Sequence, residues 1–368
     1  MGREFASAAA RWCHLLDHPA KPEIVAVCDP VPAAAAWFAD NVPTVKQATT
    51  DYHELLANDD VEAVYCAVPH HLHERLYVDT LNAGKHLFAE KPFGIDLPAC
   101  ENILTAVAAH PELLVRCSSE FPFYPAPQRI ARMIEANAFG RIIEVQSSFC
   151  HSSDLDPNKP INWKRRIATN GEYGCMGDLG LHVVHMPARA GWRPKNVRAL
   201  LSKIVDQRPD GKGVMAPCET WDNATLACES EAGFPIIFET KRISPGDTNS
   251  WSIRILGTEN SAEFSTKRPK TLRTMPYRSG EPQTWREEDL GYESPYKAVT
   301  GHIFEFGFPD AIQQMWAAYL DELIGNQPKY PCATPQEALA SHQLFTAALE
   351  SQRTGRTNPL SPQRGERG

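Results

Sequence analysis

The chain reads as two domains: an α/β domain built on a parallel sheet, then an α+β domain with a large, mostly antiparallel open sheet. Three observations predict this. Residues 61–92 hold two short apolar runs, 63–68 and 86–89. A roughly helical pattern through Leu72, Leu76, Val78, Leu81 and Ala83 separates them and Gly84 stops it, which is the signature of a strand, a crossover helix and a parallel strand. Beyond residue 120, several runs alternate apolar and polar residues, as half-exposed antiparallel strands do. A length of 368 residues suits two hydrophobic cores.

In order, Met1-Gly2-Arg3-Glu4 opens into a helix-like run over 5–12. Residues 24–28 make a strand, with Asp29 at its end. A short helix at 51–57 precedes the central βαβ unit, whose two strands end in Val68-Pro69-His70 and Glu90-Lys91-Pro92. Open α/β sheets bind ligands at the carboxyl ends of their strands. A helix over 97–109 leads to the last strand of this domain, 113–117, with Glu120 again on the ligand side. The predicted division is 1–120, 121–353 and a tail, 354–368, expected to be disordered because it is polar and lacks periodicity.

The second domain starts with an amphipathic helix over 126–137, carrying Ile130, Met133 and Ile134 on one side, and a strand over 142–149. Further strands are expected at 198–205, 220–229, 235–241, 251–256 and 262–265, with a turn at 257–260. Helices over 311–324 and 335–352 close it. Between residues 163 and 192, Asp178 and His182 are spaced to share one helix face, Gly177 and Gly180 leave room for a close approach, and Pro187 should kink or end the helix early.

Composition narrows the function. A net charge of −8 and the absence of a basic stripe exclude a nucleic-acid or anionic-membrane surface. The ten cysteines are scattered singly with no Cys-x-x-Cys, so neither a zinc cluster nor a redox pair is indicated and no metal is expected. Cys28, Cys66 and Cys117 fall in apolar runs and read as small core residues. With no signal peptide and no apolar run near the ~18–20 residues of a span, a cytoplasmic protein is expected.

The pattern A-V-P-x-x-x-H at 67–73, followed by E-K-P at 90–92 and by D-x-G-x-H at 178–182, resembles the Gfo/Idh/MocA family of nicotinamide-dependent sugar and polyol dehydrogenases. The resemblance spans nearly the whole chain. It implies a Rossmann-like dinucleotide-binding first domain whose opening strand and first two turn glycines would precede Gly2, which matches the third glycine. It implies cofactor contacts from Gly2, Asp29, Pro69, His70, His73, Glu90, Lys91 and Glu120. Asp29 would accept hydrogen bonds from ribose hydroxyls, and no Lys or Arg follows it closely, so NAD is favoured over NADP. Asp29 also suits a simple cap for the following helix, and His73 a helix N-terminal hydrogen bond.

The resemblance further implies a catalytic set of Lys91, Asp178 and His182, with Trp163 and Lys164 in the substrate wall. His182 would be the base for a carbinol proton, Lys91 would hold the same oxygen, and Asp178 would orient substrate or imidazole. His185 stands where the family commonly has Asp or Asn, which leaves the partner of His182 open. The implied partners are a small sugar or polyol and further copies of the chain, as a homodimer or homotetramer packed through the open sheet face. Two other classes fit the same motifs: a redox-neutral glycosidase or lyase retaining NAD, and a non-catalytic cofactor-binding regulator. The substrate is not legible, since specificity would lie in loops near 150–175 and 270–305.

Overall fold

The structure, a computed structural model, describes residues 1–360. In the first part of the chain, α1 (Gly2–Ala10), β1 (Ala26–Cys28), α2 (Pro32–Asn41), β2 (Gln47–Thr49) and α3 (Tyr52–Leu56) come first. They are followed by β3 (Ala63–Cys66), α4 (His73–Asn82), β4 (His86–Ala89), α5 (Leu97–Ala109) and β5 (Val115–Cys117). The ladders are parallel, as the crossover helices require, and they form two separate sheets, β1-β2 and β3-β4-β5. Gly84 sits just past α4 with φ +72°, the left-handed position that ends a helix cheaply only at glycine.

The second part holds α6 (Pro125–Glu135), β6 (Ile142–His151), α7 (Ile167–Asn170), α8 (Cys175–Arg189), β7 (Pro194–Ser202) and a small hairpin, β8 (Gln207–Pro209) and β9 (Met215–Pro217). Then come β10 (Asn223–Ser230), β11 (Pro235–Lys241), β12 (Asn249–Gly257), β13 (Asn260–Ser265), β14 (Thr271–Pro276) and β15 (Arg286–Asp289). The chain continues through α9 (Phe308–Leu323), α10 (Pro335–Thr354) and β16 (Asn358–Pro359). The main sheet has nine strands in the order β15-β14-β13-β12-β6-β11-β10-β7-β16. All its neighbours are antiparallel except β6 and β11. One face packs on α8 and α10; the other carries the alternate residues, such as Gln146, Ser148, Glu239 and Lys241, and is uncovered.

The two parts interlock. Trp316 of α9 stacks on Phe5 of α1 at 3.8 Å between ring centroids and lies 4.4 Å from Phe88 of β4. Cys117 at the end of β5 donates its N–H to the Ala333 carbonyl, 2.8 Å away, just before α10. Strand ends and helix starts thus meet along one seam.

Two expectations need correction. α8 runs through Pro187 and stops two residues later at Arg189; the missing N–H falls in the last turn, where little remains to be broken. The tail is ordered through Leu360: Asn358 and Pro359 pair with the edge of β7, and the Leu360 N–H reaches the Lys195 carbonyl at 3.0 Å. An aperiodic segment can still be ordered when an unpaired strand edge supplies its hydrogen bonds. The remainder of the expected tail, 361–368, lies outside the described residues.

Candidate active site

The loops after β3, β4 and β5 and one face of α8 converge at the seam. Gly180 lets α8 lie this close to α10, because a Cβ there would fall 2.1 Å from the Phe345 ring. That glycine makes room for a helix partner and not for a ligand. Four residues apart on α8, Asp178 and His182 project from one face, both buried.

Lys91 Nζ donates to the Asp178 carbonyl at 2.7 Å and to Oδ1 at 3.3 Å. Lys164 Nζ contacts both carboxylate oxygens at 2.9 Å. Arg242, fully buried at the end of β11, brings Nη2 to 3.3 Å from Oδ2. Three cations therefore surround one carboxylate. Burial would raise the Asp178 pKa, but Lys164, Lys91 and Arg242 outweigh it and hold it well below the ordinary range. Burial pulls Lys91 down, yet Asp178, Glu90 and Glu120 leave it raised above an ordinary lysine. Lys164 is lowered by burial, with Lys91 and Arg242 adding to that and Asp178 opposing; its side chain is still 37% exposed, so solvent weakens the effect.

His182 has other surroundings. The edges of Phe121 and Phe149 meet its ring at 5.2 and 5.3 Å between centroids, and Trp251 Nε1 donates to its carbonyl at 2.9 Å. Burial, reinforced by Lys91, holds it well below an ordinary histidine, so the ring is neutral at pH 7. Its Nδ1 is buried without a hydrogen-bond partner, and Glu120 Oε2 stands 3.7 Å away. Burial pushes the Glu120 carboxyl up to about 7, with Glu90 adding to it and Lys91 opposing. His185, which lies near enough to add to the lowering of His182, makes no hydrogen bond to this ring. It points to Glu337 at 3.8 Å, and burial drives it down to about 3.

Of the other predicted residues, Glu90 is an anchor: it accepts from the Tyr65 hydroxyl at 2.6 Å, while its carbonyl takes the Tyr77 hydroxyl at 2.8 Å. His70 is buried, bonds the Asn170 carbonyl at 2.9 Å and meets Trp163 edge-on, so it joins the first part to the loop bearing Lys164. His73 is corrected from a cofactor contact to a structural tie. It has no exposed surface, and its two ring nitrogens lie 2.7 Å from the Pro92 carbonyl and 2.9 Å from that of Val68. Pro69 opens the turn before α4. Gly2 begins α1, and a Cβ there would sit 3.3 Å from Phe38, so it permits close packing against α2 rather than against a strand.

Sequence reasoning missed Arg242. Arg242 Nη1 reaches the Lys164 carbonyl at 3.2 Å, and Nη2 reaches Asn170 Oδ1 at 3.2 Å and the Gly174 carbonyl at 3.3 Å. It clips together the segments that carry Lys164, His70's partner and Asp178. A signal did exist: Ile236, Phe238 and Thr240 are the inward positions of β11, and Arg242 is the next. His151, at the end of β6, borders the same cluster and is held to about 4 by burial.

Comparison with known proteins decides the family. Residues 2–116 match the profile described as "Oxidoreductase family, NAD-binding Rossmann fold" (GFO/IDH/MocA), and residues 128–263 match the GFO/IDH/MocA C-terminal domain. The chain belongs to the GFO/IDH/MocA oxidoreductase family. Levoglucosan dehydrogenase of Pseudarthrobacter phenanthrenivorans is 26% identical over 267 residues, 69% of this chain and 68% of that protein. Inositol 2-dehydrogenase of Salmonella typhimurium is 26% identical over 137 residues, 37% of this chain and 41% of its own length. A solved structure of levoglucosan dehydrogenase in complex with NADH and L-sorbose superposes with a TM-score of 0.88 at 22% identity, covering 98% of this chain and 96% of that one. That likeness establishes the fold.

The GFO/IDH/MocA fold is NAD-binding, and the residues present fit such a cofactor. The α1 N-terminus has no side-chain cap, so its first-turn amides are free for a pyrophosphate. Asp29 at the end of β1 uses Oδ1 to accept the Val31 N–H at 2.9 Å and keeps its other oxygen for ribose hydroxyls. Residues 30–36 hold no cation for a 2′-phosphate.

Proposed function

We propose that this chain transfers a hydride between NAD and a carbinol or carbonyl carbon of a sugar, polyol or related cyclic substrate. The observation that carries the reading is the meeting of Lys91, Asp178 and His182 at the seam, with Lys91 Nζ 2.7 Å from the Asp178 carbonyl. Bound nicotinamide supplies the hydride acceptor. His182, neutral at pH 7, accepts the substrate hydroxyl proton. Lys91 holds the same oxygen and stabilises the negative charge that develops on it. Asp178, locked as a carboxylate, keeps Lys91 and Lys164 oriented, and Trp163 beside His70 forms the substrate wall. Asp29, the α1 N-terminus at Gly2, the Pro69-His70 turn, Glu90 and Glu120 frame the cofactor.

In this reading residues 1–120 bind cofactor and 121–353 bind substrate. The family relatives named for levoglucosan and inositol support a polyhydroxylated substrate. The uncovered face of the nine-stranded sheet is the surface for a homodimer or homotetramer. A cytoplasmic location agrees with ten cysteines that are all free thiols among the described residues, and no described helix is long and apolar enough to cross a membrane. The test is NADH formation, followed by absorbance, across sugars and polyols, beside NADH binding measured by calorimetry. Turnover with at least one carbinol is expected. Binding without net NADH for any substrate would overturn the dehydrogenase reading in favour of redox-neutral chemistry.

A further inference from the structure

We propose that Glu120 is the positioning residue of His182: its carboxylate accepts the Nδ1 proton, so that Nε2 turns its lone pair to the substrate hydroxyl. The inference deepens the reaction proposed above and rests on it.

The site leaves His182 few other partners. Nδ1 is buried and unpaired. Asp178, one turn away, is already engaged by Lys91, Lys164 and Arg242. His185 is directed to Glu337. On the other side, the Tyr65 hydroxyl is committed to Glu90. Among the described residues His182 is the one basic side chain within 4.0 Å of the Glu120 carboxylate, at 3.7 Å. That gap exceeds a hydrogen bond, but catalytic hydrogen bonds are often long before ligands bind. Phe121 and Phe149 wall the ring.

A neutral imidazole has one N–H and one lone pair. If the N–H is on Nδ1 and faces Glu120, the lone pair must be on Nε2. During oxidation the substrate O–H bond breaks and its proton goes to Nε2. The C–H electron pair leaves as hydride to the nicotinamide, C=O forms, and the Nδ1–H bond persists against the carboxylate. The imidazolium so formed is paired at the moment its charge appears. The groups facing the pair are Lys91, Asp178 and His185 around the ring, with Glu90, Lys91 and Tyr65 around Glu120. The titration therefore belongs to a coupled set.

The experiment compares the full chain with Glu120→Gln and Glu120→Asp. It reads the His182 ring nitrogens by ¹⁵N NMR, with His182→Gln for assignment, together with the pH profile of kcat/KM and NADH affinity. Expected in the parent is an Nδ1–H tautomer. In Glu120→Gln the acid limb of the profile should move to lower pH and kcat should fall about 10- to 100-fold, the range for groups that orient a ligating or reacting histidine. Glu120→Asp should restore part of both. An unchanged tautomer and an unmoved limb would overturn the proposal whatever happens to NADH affinity, and would leave Glu120 as a cofactor contact. Failure of the parent to oxidise any polyol would instead defeat the reaction reading, while the tautomer comparison would still decide the Glu120–His182 pairing.

Discussion

Asp178 and His182 stand one helical turn apart on α8, and their surroundings are opposite. Asp178 has three cations, with both carboxylate oxygens occupied. His182 has aromatic edges, one unpaired ring nitrogen and a carboxylate just out of reach. The first environment fixes a charge: Asp178 stays ionised across any working pH because its neighbours hold its pKa well below ordinary values. The second keeps a base neutral and uncommitted. One helix face thus presents a group that orients and a group that moves a proton, and their environments separate the two roles.

Breaking the link between the two ends should give the largest effect. Lys91 is the side chain that touches Asp178 and also faces His182. Lys91→Met should lower kcat about 10²- to 10⁴-fold, as loss of a charge-stabilising or proton-handling group does, with a smaller loss of NADH affinity. Steady-state rates beside calorimetry check this, and a loss under tenfold would remove Lys91 from the chemistry. Next comes the fixed end alone. Asp178→Asn leaves Lys91, Lys164 and buried Arg242 facing one another, and should cost about 3 kcal/mol of stability, the scale for breaking a buried ion pair. The urea midpoint measures it.

Much of this arrangement was legible in the chain. The strand ends bearing His70, Lys91 and Glu120, and the helical spacing of Asp178 and His182, follow from local periodicity, and local periodicity is what a sequence displays. The partner of His182 was not legible, because Glu120 and His182 belong to different parts of the chain and meet only when α8 docks on the seam. The third position after His182, where the family commonly has Asp or Asn, holds His185, which instead contacts Glu337 on α10. Arg242 was half legible. Strand alternation puts it inward, but only the packed structure reveals that it meets Asp178.

The uncommitted end has a consequence for stability. His182, His70 and His73 are held below the ordinary histidine value, and burial takes His185 and His342 to about 3. An unfolded histidine takes up its proton as pH falls through about 6.5, whereas these folded ones do not. The unfolded state then binds more protons, so folding stability must fall as pH drops below about 6.5, by at most about 1.4 kcal/mol per unit per histidine. Asp178 adds its own loss only lower, below about 3.9, the unfolded aspartate value. Glu120 acts oppositely: with its carboxyl near 7 in the fold, it removes stability as pH rises from about 4.5 to 7. His185→Leu should therefore flatten the slope of urea stability between pH 6.5 and 4 by about one proton. An unchanged slope would mean that His185 titrates normally.

The smallest expected effect tests whether these pH signatures belong to the site or to stability in general. Leu360 lies on the far edge of the sheet, where its N–H reaches Lys195 and its side chain packs against the main core. Leu360→Ser removes part of a half-buried apolar contact and should cost about 1 kcal/mol at ordinary transfer values. It adds no titrating group and touches none near α8. Its stability curve should be displaced by a constant amount at every pH, parallel to the parent, with kcat/KM and its acid limb unmoved. A displacement that grows below pH 6.5 would mean that acid loosens the β7 edge before it loosens the seam. The pH dependence would then report peripheral opening, and the contrast between a fixed and an uncommitted end of α8 would have to rest on the kinetic and NMR measurements alone.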